Sequence, residues 1–119
     1  MSRPGPIRII VGMAANAPDH AAVLEDIRTL TATPAPLLEQ VERTLADGYA
    51  CAFAIETEQL RLRVRLEDRA AALGDNPGSE RIGEVARLAQ GVARADGELA
   101  ELRAALVGLA AMARNLRAA

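Results

Sequence analysis

The sequence predicts an all-α fold: a short N-terminal helix, then a long antiparallel helical hairpin, coiled-coil-like and dimerised into a four-helix bundle. Three observations predict it. Apolar residues recur at steps of three and four over two stretches of about forty residues each. One clear turn, Gly74-Asp75-Asn76-Pro77-Gly78-Ser79, separates the two stretches. Aromatic residues make up 2% of the chain, with one Phe, one Tyr and no Trp, so a core must be built from Leu, Ala, Val and Ile. Sandwiches and barrels rely on strands rich in aromatic and β-branched residues, and this composition excludes most of them.

The elements follow in chain order. Residues 1–17 are read as an arm, outside a helical domain of residues 18–119. Within the arm, Ile7 to Met13 (IRIIVGM) suits a short strand or an extended segment. With no second strand in the chain, it could pair only with its own copy or a partner. The apolar run from Ile9 to Ala17 is short and follows Pro4-Gly5-Pro6, so it is read as arm rather than signal peptide.

The first helix is expected over residues 18–31. Asp19 stands at its start, as a cap or a first-turn charge, and Ala22, Val23, Ile27 and Leu30 recur at helical spacing. Thr33 as N-cap and Pro34 at the first helical position are expected to open the second helix, residues 34–73. Its seam runs Leu38, Val41, Leu45, Gly48, Ala52, Ile55, Gln59, Leu62, Leu66, Arg69 and Leu73. A second apolar stripe, Leu37, Tyr49, Phe53, Leu60 and Val64, widens the face and implies more than one neighbour.

Gly74 is expected to cap the second helix, and Pro77 prevents continuation. Ser79 is the expected N-cap of the third helix, residues 80–117. That helix carries the most regular pattern in the chain: Val85, Leu88, Val92, Ala95, Leu99, Leu102, Leu106, Leu109, Ala113 and Leu116. Folding the chain at Asn76 and Pro77 sets Arg69 opposite Glu84, Ile55 near Leu99, and Leu45 near Leu109.

Two stretches, Gly48 to Ile55 and Ala104 to Ala113, are apolar on every side. A hairpin covers one side of each, and the first helix covers another stripe. A second copy is the expected cover for the rest, with Tyr49, Phe53, Leu106, Leu109 and Met112 as the interface.

The search for chemistry yields exclusions. The only His is His20, no Glu-x-x-His motif occurs, and Cys51 is the single Cys, so one chain assembles neither a di-iron nor a zinc site. No metal, cofactor-binding or catalytic residues are therefore assigned. Cys51 lies in an apolar run and is expected to be buried and chemically quiet; His20, at a helix start, is expected at the surface. The glycines match neither a phosphate-binding loop nor a dinucleotide fingerprint. The formal net charge is −2, which gives no general attraction to nucleic acid or an anionic membrane. No run reaches the ~20 apolar residues of a membrane span.

One charge feature stands out. Arg61, Arg65 and Arg69 follow at i, i+4 and i+8, while Arg63 is placed to pair with Glu67. The Arg stripe is read as a neutralised surface, with an anion or partner contact as its functional alternative. All fourteen basic residues are Arg, a composition of GC-rich bacterial coding, and the lone Cys fits a reduced cytoplasm. The sequence thus reads as a non-enzymatic interaction module, a scaffold, adaptor or regulatory subunit, whose partner is itself or another protein. Two alternatives stand beside it: a bundle binding an apolar small molecule near Phe53 and Met112, and a dimeric transcription regulator using the Arg stripe.

Overall fold

A computed structural model describes residues 19–119. Three helices make up these residues: α1 (His20–Ala32), α2 (Leu38–Asp75) and α3 (Ser79–Ala118), of 13, 38 and 40 residues. No strand occurs among the described residues, and the all-α fold expected from the seams is the fold observed. The arm at residues 1–17, with its Ile7 to Met13 strand, lies outside the described residues.

The ends of α1 are set by side chains. The Asp19 carboxylate accepts the backbone N–H groups of Ala21 (3.1 Å) and Ala22 (3.3 Å), two of the donors a helix start leaves unpaired. At the other end the Thr33 N–H donates to the Leu30 carbonyl at 3.1 Å, and the Thr33 hydroxyl donates to the Thr29 carbonyl at 2.6 Å. Val23, Leu24, Ile27 and Leu30 form the buried face.

Two boundaries differ from expectation. Thr33 closes α1 instead of opening α2, and α2 starts at Leu38 rather than Pro34. The physical reason is Pro36, whose ring crowds the right-handed helical conformation of the residue before it. Ala35 turns out of the helix altogether, to φ 52°. A left-handed conformation costs a residue with a Cβ roughly 1–2 kcal/mol. At the turn, α2 continues through Gly74 to Asp75, and the Asn76 N–H donates to the Ala72 carbonyl at 3.1 Å. No described glycine has a positive φ, so Gly74 is not a left-handed cap. Ser79 is the first residue of α3, and the Ile82 N–H donates to the Gly78 carbonyl at 2.9 Å.

The chain divides into two compact units. Among the described residues, the first comprises residues 19–54 and Leu102–Ala119, and the second Ile55–Glu101. In the first unit three helices meet. Val23 of α1, Val41 of α2, and Leu102 and Leu109 of α3 are the largest fully buried side chains. Burying each contributes roughly 1.5–3 kcal/mol. Leu45, Cys51, Ala52, Leu106 and Ala113 complete this core. Gly48 is also buried, and a Cβ built on it would collide with Cδ2 of Leu106, so the glycine sets how closely α2 approaches α3 here.

In the second unit only two helices pair. Leu88, Ala95 and Leu99 of α3 are buried, whereas Ile55, Gln59, Leu62 and Leu66 of α2 are half-buried. Arg69 meets Glu84 across this pair at 3.0 Å, as the turn register requires. Leu62 packs on Gly91 in the same register, centred between Asn76 and Pro77. In the first unit the Gly48–Leu106 contact is centred on Pro77, so the same count from the turn holds there.

Gly48→Ala is expected to destabilise the protein by about 1–2 kcal/mol, because overpacking outweighs the gain in helix propensity. Gly108→Ala, whose added Cβ would meet nothing within 4 Å, is expected to gain up to about 1 kcal/mol. Urea unfolding of the two variants beside the wild type checks both signs. Ala35→Gly relieves the left-handed residue and is expected to raise stability by about 0.5–1 kcal/mol, read as an increase in Tm.

Candidate functional site

The surface of α2 is where the sequence spends apolar residues that the core does not use. At 100° per residue, Tyr49, Phe53, Leu60 and Val64 fall within a sector of about 60° on this helix. The buried positions Val41, Leu45, Gly48 and Ala52 lie along a different direction. The four stripe residues are accordingly exposed: Tyr49 by 53%, Phe53 by 70%, Leu60 by 65% and Val64 by 57%. Leu37, ahead of the helix, and Val107 on α3 are exposed as well. Scattered surface hydrophobics are normal; four large ones on one helix face form a patch.

The residues expected to form an oligomer interface separate into two groups. Tyr49 and Phe53 are at the surface. Leu106 and Leu109 are buried inside the first unit, at 4% and 0% exposure, and Met112 is half-buried. Their apolar surroundings come from α1, whose Val23, Leu24, Ile27 and Leu30 supply a third layer. Leu106 and Leu109 therefore serve the chain's own core, and a second copy meets α2 at other residues. Leu60 and Val64 were visible in the sequence as a second stripe. The signal that set them apart from core was their offset from the 3,4 seam.

The Arg stripe is not a free cationic surface. Arg61 is paired with Glu58 one turn earlier. Arg69 bridges Glu84 at 3.0 Å and Asp68 at 3.6 Å. Each i+4 step also rotates the stripe by about 40°, which carries Arg69 round toward α3. Arg65 is exposed. Arg63 pairs with Asp96 on α3 at 3.1 Å rather than with Glu67, and Gln59 donates to the same Asp96 oxygen. A cross-helix partner held by packing displaces the expected i+4 partner. In the first unit Arg117 clasps Glu42 with Nε at 3.2 Å and Nη2 at 3.0 Å.

The remaining candidates fall into place. Cys51 is buried, 2% exposed, in the first unit. His20 is half-buried at the first position of α1, not at the open surface, because it starts the helix whose other face is core. An open groove of about 250 Å³ in the second unit is lined by Leu62, Gly91 and Ala95 with Glu58, Arg87, Arg94 and Glu98. Its four charged walls suit water better than an apolar molecule. Among the described residues, no group of three or more His, Cys, Asp and Glu is placed to hold a metal ion, and no helix is long and apolar enough to cross a membrane. Comparison with protein-family models, curated proteins and solved structures found no match to this chain.

The cross-helix ion pairs are at the surface, with Arg69 and Glu84 side chains 47% and 35% exposed. A double-mutant cycle on Arg69→Gln and Glu84→Gln is expected to give a coupling below about 1 kcal/mol that shrinks as salt is added.

Proposed function

We propose that this chain is a helical interaction module, a scaffold, adaptor or regulatory subunit that works through the exposed apolar face of α2. The observation that carries the reading is the exposure of Tyr49, Phe53, Leu60 and Val64 on one side of that helix, while the 3,4 seam beside them is used for the chain's own packing. A helix of this length needs one face for folding. A second apolar face costs solubility unless something covers it, so it points to a partner. Aromatic residues are otherwise almost absent from the chain, yet its Tyr and its Phe both stand on this face, as they do at the centre of protein interfaces.

A ligand cavity beside Phe53 and Met112 is the weaker reading, since Phe53 points to the surface. A nucleic-acid regulator is weaker still, because Arg61 and Arg69 are each held by a carboxylate.

The module reading is tested with Phe53→Asp/Leu60→Asp beside Leu109→Asp. The surface pair is expected to keep the helical circular dichroism of the wild type, and Leu109→Asp is expected to lose it, since an unpaired charge in the core costs more than the protein's margin. The wild type is expected to associate at micromolar concentration, with itself or with a discrete protein retained from a bacterial extract, and the surface pair to lose that association. A wild type that stays monomeric and retains nothing, or a variant that binds as well as the wild type, overturns the reading.

A further inference from the structure

Resting on that reading, the α2 face can be given a partner, because its pattern has a symmetry of its own. Along the helix the exposed residues step by four, seven and four: Tyr49, Phe53, Leu60, Val64. Read backwards the steps are the same. The centre of the pattern falls between Glu56 and Thr57. A two-fold axis at that point, perpendicular to two antiparallel α2 helices, places Phe53 of one copy against Leu60 of the other and Tyr49 against Val64, twice over. Farther out the same register sets Ala46 against Glu67 and Glu42 against Ala71. The large apolar pairs thus sit at the middle of the contact and the charges at its rim, the distribution found in specific interfaces.

The flanking charges agree with the register. Arg43 and Asp68 lie on the same flank of the stripe, about 20° apart around the helix. An antiparallel two-fold brings like flanks together. Arg43 of one copy then stands about 3 Å along the axis from Asp68 of the other, within reach of an ion pair made at both ends. Both side chains are well exposed and available, Arg43 by 68% and Asp68 by 76%. The opposite flank brings Glu67 toward Glu42, whose charge is already answered by Arg117. A parallel pair would set Arg43 on Arg43 and Asp68 on Asp68, so charge as well as apolar pattern selects the antiparallel arrangement.

We propose that the Tyr49–Val64 face of α2 docks a second copy of this chain in antiparallel register, with the two-fold axis between Glu56 and Thr57. The occupant is a copy of the chain because the pattern is complementary to its own reverse, a property that a surface built for an unrelated partner does not need.

The register is tested by disulfide trapping in the full-length chain carrying Cys51→Ala. Phe53→Cys and Leu60→Cys proteins are prepared separately, then mixed and oxidised by air. Facing positions on packed helices come within the roughly 4–7 Å between Cα atoms that a disulfide spans. Positions 53 and 53 of the two copies are offset by about 10 Å along the axis, beyond that span. The mixture is expected to give a linked dimer, and each protein alone little. Linking as efficient in either protein alone as in the mixture overturns the register.

A charge exchange provides the second measurement. Arg43→Asp is expected to weaken the dimer roughly ten-fold in sedimentation equilibrium, and Arg43→Asp/Asp68→Arg to restore it. Weakening without restoration overturns the proposal. A wild type that is monomeric at tens of micromolar but retains a different protein through Phe53 and Leu60 removes the second copy as occupant and leaves the module reading standing. A wild type that does neither removes both.

Discussion

An apolar seam on a long helix is worth what stands opposite it. The 40-residue α3 carries one of almost unbroken regularity, and the protein is organised around covering that seam. Where α1 and α2 both reach it, Leu102, Leu106, Leu109 and Ala113 are excluded from water and Gly48 lets α2 come close. Where α2 alone faces it, Leu88, Ala95 and Leu99 are still buried, but their counterparts on α2 stay half-open. Two helices bury one stripe of each other, and a third is needed to surround a side chain.

Electrostatics has a smaller part in holding the fold together. Arg69–Glu84, Arg63–Asp96 and Arg117–Glu42 all join α2 to α3 within their own units, and all are partly exposed. Pairs of this kind contribute little stability individually. They fix register, because a slip of one turn would leave each cation without its acid. They also answer the positive stripe on α2, leaving the apolar residues beside it as the surface feature with binding character.

The functional reading follows from a division of labour along one helix. The direction of α2 defined by Val41, Leu45, Gly48 and Ala52 is consumed in folding. The direction defined by Tyr49, Phe53, Leu60 and Val64 is not. Treating Leu106 and Leu109 as interface in the sequence came from seeing a stretch of α3 that is apolar on every side. The buried face of α1 accounts for much of that stretch, so the apolar excess belonging to the surface lies on α2.

By itself the sequence determined the elements and their pairing. The 3,4 steps of both seams, the Asp19 cap and the turn at Asn76-Pro77-Gly78 suffice for three helices and for the register that joins Arg69 to Glu84, because these are local signals plus a count from one turn. The α2 start was misplaced because two prolines two residues apart act on each other's neighbours, and Pro36 overrode the helix-opening signal of Pro34. What only the tertiary structure decided is which apolar residues are core. Periodicity marks a face as apolar but not what lies against it. The placement of α1 in the first unit turned Leu106 and Leu109 inward, and the absence of a third helix in the second left Leu62 and Leu66 half-exposed. Burial is a property of neighbours from distant parts of the chain, and no spacing within a single helix contains it.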